Sequence, residues 1–155
     1  MLRYLLGSFV LAYLTLGGPA VLAAQDGTYD ENALRIEGHQ GDARIVRGVQ
    51  GTVLARINGF RATDVAKLVS PSEKAMAEAR IFSRDFAPGG LLAGLGIAAM
   101  GAGIGVSRID DVNRLIPVAL TLGGTAFLVY GASRLQNAYN ALSRSIWWYN
   151  RDLKK

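Results

Sequence analysis

The sequence predicts a membrane α-helical hairpin that carries a small exported β-plus-helix module, an α+β architecture. The first observation is composition: 50% of the 155 residues are hydrophobic and 19% are charged, against roughly 25% charged in soluble domains. The second is that three long uncharged runs hold much of the apolar material, at residues 4–25, 87–107 and 115–133. The third is a strand-like pattern between the first two runs. An apolar run of about 20 residues matches the roughly 30 Å hydrocarbon core of a bilayer.

The first run, within residues 1–24, has the features of a signal peptide. Arg3 precedes the apolar core "YLLGSFVLAYLTL", and "GGPAVLAAQ" ends this segment in small residues before the acidic "DGTYDE". This order is typical of secretory signals, and it predicts cleavage after Ala23 or Ala24. An uncleaved anchor is the alternative, because a run of this length could also cross a bilayer. The chain has no cysteine, which excludes a lipoprotein anchor, disulfides and thiol chemistry.

Residues 25–62 predict a short β-strand module. The segments "ALRIEG", "ARIVRGV" and "TVLARING" carry alternating or β-branched apolar positions, and glycine-containing turns separate them. We expect two or three strands in a meander, with Val53, Ala55 and Ile57 on one face. Because so small a sheet buries little surface by itself, it should lean on a helix or on a partner.

Residues 63–86 predict helices. A short helical turn in "TDVAKLV" comes first, and a second helix begins with Ser70 at the N-cap, Pro71 at the first helical position and Glu73 in a capping box. This helix is expected to end near residue 86, before Pro88. One stripe of it is apolar, formed by Ala75, Ala79, Phe82 and Phe86.

The glycine-rich run allows two interpretations, a phosphate-binding loop or a membrane helix. "GLGIAA" fits a G-x-G-x-x-A pattern, but the preceding "FAPGGLLA" is not a strand and the nearest acidic residues come too early in the sequence. We therefore predict a transmembrane helix at residues 88–106. Small residues recur along it and along the second span, and they are predicted to pack helix against helix: Gly90, Gly94, Ala98, Ala102, Gly101, Gly105, Gly123 and Gly124. Contact within the hairpin is favoured, and a homo-oligomeric contact is the alternative.

The second span is predicted at residues 115–133. The loop at 107–114 is short and polar, so the two spans must form an antiparallel hairpin. A tail at 134–155 follows three- and four-residue apolar steps, which predicts an amphipathic helix that continues the span or bends along the surface. Its aromatic and basic residues suit a membrane interface with anionic headgroups: Trp147, Trp148, Tyr149, Arg151, Lys154 and Lys155. Packing of these aromatic residues on Phe82 and Phe86 is the alternative.

The sequence resembles a loose set of uncharacterised exported bacterial envelope proteins. The matching features are "SRSIWWYN" at Ser143 to Asn150, with its YN-type ending, and the two-span layout from Pro88 onward, about half of the chain. The resemblance implies architecture and no known activity, so no functional residue is carried over from it.

The sequence offers no catalytic constellation. His39 is the single histidine, and Asp110 and Asp111 lie in a short loop between Arg108 and Arg114. We therefore expect no catalytic residues, no cofactor, no metal and no enzymatic activity. The net charge of +5 is scattered along the chain, which fits anionic lipid better than nucleic acid.

These observations predict a non-enzymatic envelope protein with a structural or partner-binding role. An accessory subunit or small homo-oligomeric pore is the alternative. The predicted location is the bacterial inner membrane, with residues 25–86 and the tail on the periplasmic side because the first segment directs export. The count of basic residues flanking the spans favours the reverse orientation, so the two topology rules disagree.

Overall fold

The computed structural model describes residues 27–39, 42–58, 61–62, 64–109 and 111–154. The predicted signal peptide lies outside these ranges. In chain order the elements are α1 (Gly27–Asn32), β1 (Leu34–His39), β2 (Asp42–Arg47), β3 (Thr52–Asn58), β4 (Arg61–Ala62), α2 (Val65–Leu68), α3 (Glu73–Val106) and α4 (Leu115–Asp152). A small antiparallel sheet therefore accompanies two long helices, which agrees with the predicted α+β content.

The strands form a meander, as predicted, in the order β1-β2-β3-β4, with four strands in the described part of the chain where two or three were expected. The β2–β3 turn depends on Gly48 and Gly51, whose φ angles of +68° and +69° lie in the left-handed region that favours glycine. Ala55 and Ile57 face the core as predicted. Val53 does not, because the register shifts at Ile45/Val46 and Val53 lies beyond this irregularity with its side chain exposed.

The first long helix differs from its prediction at its start. The N-cap is Ser72 rather than Ser70, and the Ser72 hydroxyl oxygen accepts a hydrogen bond from the Ala75 N–H at 3.3 Å. The same hydroxyl donates to the Asp152 carboxylate at 2.6 Å. This contact with the end of α4 selects the later serine, since a cap that also joins two helices satisfies more polar groups.

The first long helix also continues through Pro88, where we expected a break between the helix at 63–86 and the span at 88–106. Proline removes one helical hydrogen bond and normally disrupts a helix interior. Here Phe86 and Gly89, on either side of it, are both buried. Packing along α4 overrides the local signal. The second span and the tail are likewise one helix, α4, so of the two predicted alternatives the tail continues the span.

The core lies where the sheet and α2 meet the half of the hairpin that is nearer the sheet. The predicted stripe of α3 is buried there, and the Phe82 and Phe86 rings lie 5.1 Å apart with the Tyr139 ring edge-on to Phe86 at 5.9 Å. The sheet thus leans on the helices, the first of the two arrangements we expected. Other buried apolar members are Leu34, Ala43, Ile45, Val65, Val69, Ala138, Ala141, Leu142, Ile146 and Tyr149.

The end of α4 is fastened to the first strand through Asn150. Its side-chain oxygen accepts from the Leu34 N–H at 2.8 Å, and its side-chain nitrogen donates to the Leu34 carbonyl at 2.7 Å. Since β1 is an edge strand, these two bonds satisfy backbone groups on the side away from β2. The YN-type ending has a structural purpose here: Tyr149 fills the core and Asn150 joins α4 to the sheet.

Candidate functional site: the apolar half of the hairpin and its charged boundary

The half of the hairpin remote from the sheet is apolar and largely uncovered. Residues 88–106 and 115–133 each extend about 28 Å at 1.5 Å per residue, close to the roughly 30 Å core of a bilayer. Each long helix contains an 18-residue window of mean hydropathy 1.7, and only 22% of the window in α3 and 11% of that in α4 is buried. A core helix of a soluble protein would have most of such a window buried. These two helices are therefore candidate membrane spans.

The exposed side chains on this half are large and aliphatic or aromatic. They are distributed over both helices, and soluble monomers rarely expose so extended an apolar surface. The group comprises Leu91, Leu95, Ile97 and Ile104 on α3, with Leu115, Ile116, Val118, Leu122, Phe127 and Val129 on α4.

The two helices contact each other through glycines spaced seven residues apart. On α3 these are Gly89, Gly96 and Gly103, and on α4 they are Gly124 and Gly131. A Cβ atom added at Gly96 would lie 2.5 Å from a backbone nitrogen and 2.6 Å from a backbone carbonyl oxygen of α4, the latter belonging to Gly124. The backbones are therefore in direct contact, as in other helix pairs that rely on small residues.

The same seven-residue series continues into the module half. Its members there are Ala75 and Phe82 on α3, and Ala138 and Ser145 on α4, all buried. The Ser145 hydroxyl donates to the Ala75 carbonyl at 2.8 Å, so this buried polar group is satisfied. One coiled-coil-like seam therefore runs along the whole hairpin, with alanine, serine and one phenylalanine in the module half and glycine in the apolar half.

The predicted packing row is largely wrong for this contact. Gly124 lies in the seam and Gly90 is buried, while Gly94 is half-buried. Five others face outward: Ala98 and Ala102 are exposed, and added Cβ atoms at Gly101, Gly105 and Gly123 would meet no heavy atom within 4 Å. Each four-residue step turns the helix about 40° beyond a full turn. A row of residues with that spacing rotates away from the line along which two straight helices touch. Residues spaced seven apart rotate by only about 20° per step and therefore stay near that line.

A charged cluster marks the boundary between the apolar half and the module. The Asp85 side chain is 8% exposed and pairs with Arg84 at 3.1 Å and, across the hairpin, with Arg134 at 3.7 Å. Arg134 also donates through Nε to the Tyr130 hydroxyl at 3.2 Å. Arg134 follows the last residue of the second apolar run, and Asp85 precedes the first span by three residues. The ion pair shows that the apolar runs of the two helices end at the same level.

The pKa of the Asp85 carboxyl is lowered from its ordinary value of 3.8. The hydrogen bond from Arg84 is the main cause, burial opposes it, and the positive charges of Arg84 and Arg134 act in the same direction as the hydrogen bond. Asp85 lies outside the span at 88–106. The carboxylate is therefore stabilised in its charged form at this boundary.

The opposite end of the apolar half is closed by polar residues. Arg108, Asp111, Asn113 and Arg114 are exposed on the loop between α3 and α4, and Asp110 lies outside the described residues. The apolar segments are thus bounded by charged groups at both ends, as expected of spans whose ends meet water.

The aromatic tail lies far from this boundary. Trp147 is 14 residues beyond Ser133, about 21 Å along the helix. It is exposed, whereas Tyr149 is buried in the core and Trp148 lies between Lys74 Nζ, 4.6 Å away, and Arg151, 4.8 Å away.

This placement disagrees with the interface interpretation of the tail for a hairpin that crosses a bilayer upright. Arg151 also faces the Trp147 ring at 5.5 Å, and Lys154 faces the Tyr29 ring at 4.5 Å; Lys155 lies outside the described residues. Arg151 therefore contacts aromatic rings of the tail itself, and Lys154 contacts an aromatic ring of α1. Tyr130 was not among the predicted interface residues, although an aromatic residue four positions before Arg134 at the end of an apolar run is a recognisable signal of an interface.

Among the residues that the structure describes, no three His, Cys, Asp or Glu side chains are grouped so as to hold a metal ion. His39 ends strand β1. No protein-family model matches the chain, and comparison with curated proteins and with solved structures likewise gave no match.

Proposed function

We propose that this chain is a non-enzymatic envelope protein whose two-span hairpin anchors an exported α+β module in the bacterial inner membrane. The observation that supports it best is the coincidence of three features on one half of the hairpin. The apolar windows are mostly uncovered, their length fits a bilayer, and charged groups lie level with each other where the runs end. Lipid is the solvent that makes such a surface stable.

The module is proposed to bind a protein partner through the outer face of its sheet. The inner face is covered by the hairpin, whereas Arg35, Glu37, Arg44 and Arg56 are exposed on the other side. The strand register places Glu37, Arg44 and Arg56 in one row across three strands. This face carries more positive than negative charge, so an acidic partner surface would complement it.

The proposed orientation places the module and the end of α4 outside, with the loop at 107–114 in the cytoplasm. Asn150 lies 17 residues after Ser133 on α4. The start of β1, which hydrogen-bonds to Asn150, is therefore about 25 Å farther along the helix than the end of the second apolar run. Tyr29 is held at a similar level by Lys154. Ala24 precedes Tyr29 by five positions, which an extended chain covers in at most about 18 Å. If the apolar run at 4–25 stayed in the bilayer to its end, this length would be too short to reach Tyr29, so the position of Tyr29 favours removal of the first segment.

Removal of the first segment by a signal peptidase fits this geometry. The mature chain should begin at Ala24 or Gln25, and the intact mass of the protein purified from membranes measures this directly. A purified, folded protein that retains the first segment would contradict the proposed processing.

The anchor is tested by placing the same charge at two equally exposed apolar sites. Leu122, near the middle of the second span, is 67% exposed, and Val49, on the module, is 70% exposed. An arginine at the centre of a membrane helix costs about 2.5–3.5 kcal/mol for insertion. We expect Leu122→Arg to lower the fraction retained in carbonate-washed membranes, and Val49→Arg to leave it unchanged. Full extraction of the parent protein by carbonate would reject the anchor.

A second candidate function is that of an accessory subunit or small homo-oligomeric pore. The row of small residues on the uncovered side of the hairpin favours it, because Gly101, Gly105 and Gly123 leave room for another backbone to approach. The mass of the detergent-solubilised particle distinguishes the two: a single copy supports the anchor, and a defined oligomer supports the alternative. Co-purification from native membranes would identify a partner.

A further inference from the structure

The boundary cluster has more positive charge than it neutralises internally. Two guanidinium groups, those of Arg84 and Arg134, share the single carboxylate of Asp85. Arg84 already uses Nε and one terminal nitrogen on Asp85, and Arg134 uses Nε on Tyr130. The cluster therefore has an excess charge of about +1.

The exposure of the cluster makes this charge available. The Arg84 side chain is 70% exposed and that of Arg134 is 35% exposed, whereas Asp85 lies beneath them. The Tyr130 ring is exposed beside Arg134, with the guanidinium 5.3 Å from its centroid. An anion that approaches the cluster from the surface of the protein therefore meets the guanidinium groups of Arg84 and Arg134 before it meets the Asp85 carboxylate.

The position of the cluster selects the anion. Arg134 is the first residue after the second apolar run, which is the depth at which lipid phosphates lie when that run occupies the hydrocarbon core. Guanidinium groups bind phosphate through paired, charge-assisted hydrogen bonds. A zwitterionic lipid brings its own cation to the phosphate, whereas an anionic lipid leaves the phosphate charge for the protein.

We infer that Arg84 and Arg134 form a binding site for the phosphate of an anionic phospholipid, such as phosphatidylglycerol. Asp85 lies beneath the two guanidinium groups and competes with the lipid for them. This site rests on the proposed membrane anchor, and it adds a lipid preference that anchoring alone does not require.

Other basic residues of the neighbouring turns provide contrast. Arg144 is paired with Glu78 at 2.9 Å, farther along α4 in the module half. Arg80 is exposed about one turn before Arg84 and farther from the apolar run, so Arg80→Gln is a matched control that removes one arginine outside the site.

The test measures lipid binding by native mass spectrometry of the full chain in nonionic detergent. Added phosphatidylglycerol should remain bound, whereas phosphatidylcholine and inorganic phosphate at the same concentration should not. Arg134→Gln should weaken phosphatidylglycerol binding about tenfold, the loss expected for a charge-assisted contact. Arg84→Gln should weaken it in the same direction, and Arg80→Gln should leave it unchanged.

A variant that is expected to strengthen lipid binding separates an effect on binding from an effect on folding. Asp85→Asn removes the competing carboxylate and should strengthen phosphatidylglycerol binding, while a purely structural cluster would lose binding in Asp85→Asn and Arg134→Gln alike. Equal binding of the two lipids, or an equal loss in Arg80→Gln and Arg134→Gln, would overturn the site. If the parent protein resists carbonate but shows no lipid preference, only this inference fails; if it is extracted, the anchor itself fails.

Discussion

The glycine seam predicts opposite outcomes for the same substitution at two positions of one helix. In Gly96→Ala the new Cβ would lie 2.5 Å from the Leu128 nitrogen and 2.6 Å from the Gly124 carbonyl oxygen. An ordinary contact is at least 3.4 Å, so the backbones must separate by nearly 1 Å. A gap of 0.5–1 Å forfeits about a quarter to a half of each dispersion contact along the seam. Overpacking of this kind costs about 1–3 kcal/mol.

Gly101→Ala is the matched control, because its Cβ would meet nothing within 4 Å. Alanine also favours a helix over glycine, so this change should cause no loss of stability. Thermal unfolding in detergent measures both variants. A cost of 2 kcal/mol corresponds to a fall in Tm of about 4–8 °C for a chain of this size. An equal fall in Gly101→Ala would mean that the helices contact through the outward row, and would refute the seven-residue seam.

Three further predictions concern the module and the boundary. Asn150→Ala should destabilise the protein by about 1–3 kcal/mol in urea unfolding, because two backbone groups of β1 lose their partner. Asn140→Ala, at an exposed position of the same helix, should have no effect in the same assay. Tyr149→Ala should lower Tm strongly and Trp147→Ala only slightly, since the first ring is buried and the second exposed; similar losses would contradict this core. The pKa of the Asp85 carboxyl is lowered on folding. Its stabilising contribution is therefore complete at pH values above the ordinary pKa of 3.8 and is lost as the pH falls through the lower pKa of the folded protein. Below about pH 4, Tm should fall more steeply with pH in the parent than in Asp85→Asn.

The fold could be predicted to a useful extent because its strongest signals are local. The meander follows from turn glycines and alternating apolar residues, and the buried stripe that contains Phe82 and Phe86 follows from helical spacing. The two candidate spans follow from run length alone. These features require no knowledge of what lies next to them.

The errors arose where tertiary contacts decide between local alternatives. Ser70 and Ser72 are both plausible caps, and the contact with Asp152 favours the second. Pro88 remains helical because α4 packs on both sides of it, with Tyr139 against Phe86 and the backbone at Gly131 and Leu135 against Gly89. The glycine-rich run offers more than one row of small residues, and only the partner helix determines which row is buried. The boundary cluster was missed because Asp85 and Arg134 are far apart in sequence and meet across the hairpin.

The most direct test of the central claim is the sidedness of three single cysteines, which the cysteine-free chain permits without background. Lys67, Asn113 and Ser143 are exposed, on the module, the loop and α4 respectively. A membrane-impermeant maleimide should label Lys67→Cys and Ser143→Cys in intact spheroplasts, and Asn113→Cys only after lysis. Labelling of Asn113→Cys alone would reverse the orientation, and equal labelling of all three in intact spheroplasts would contradict a hairpin that crosses the membrane.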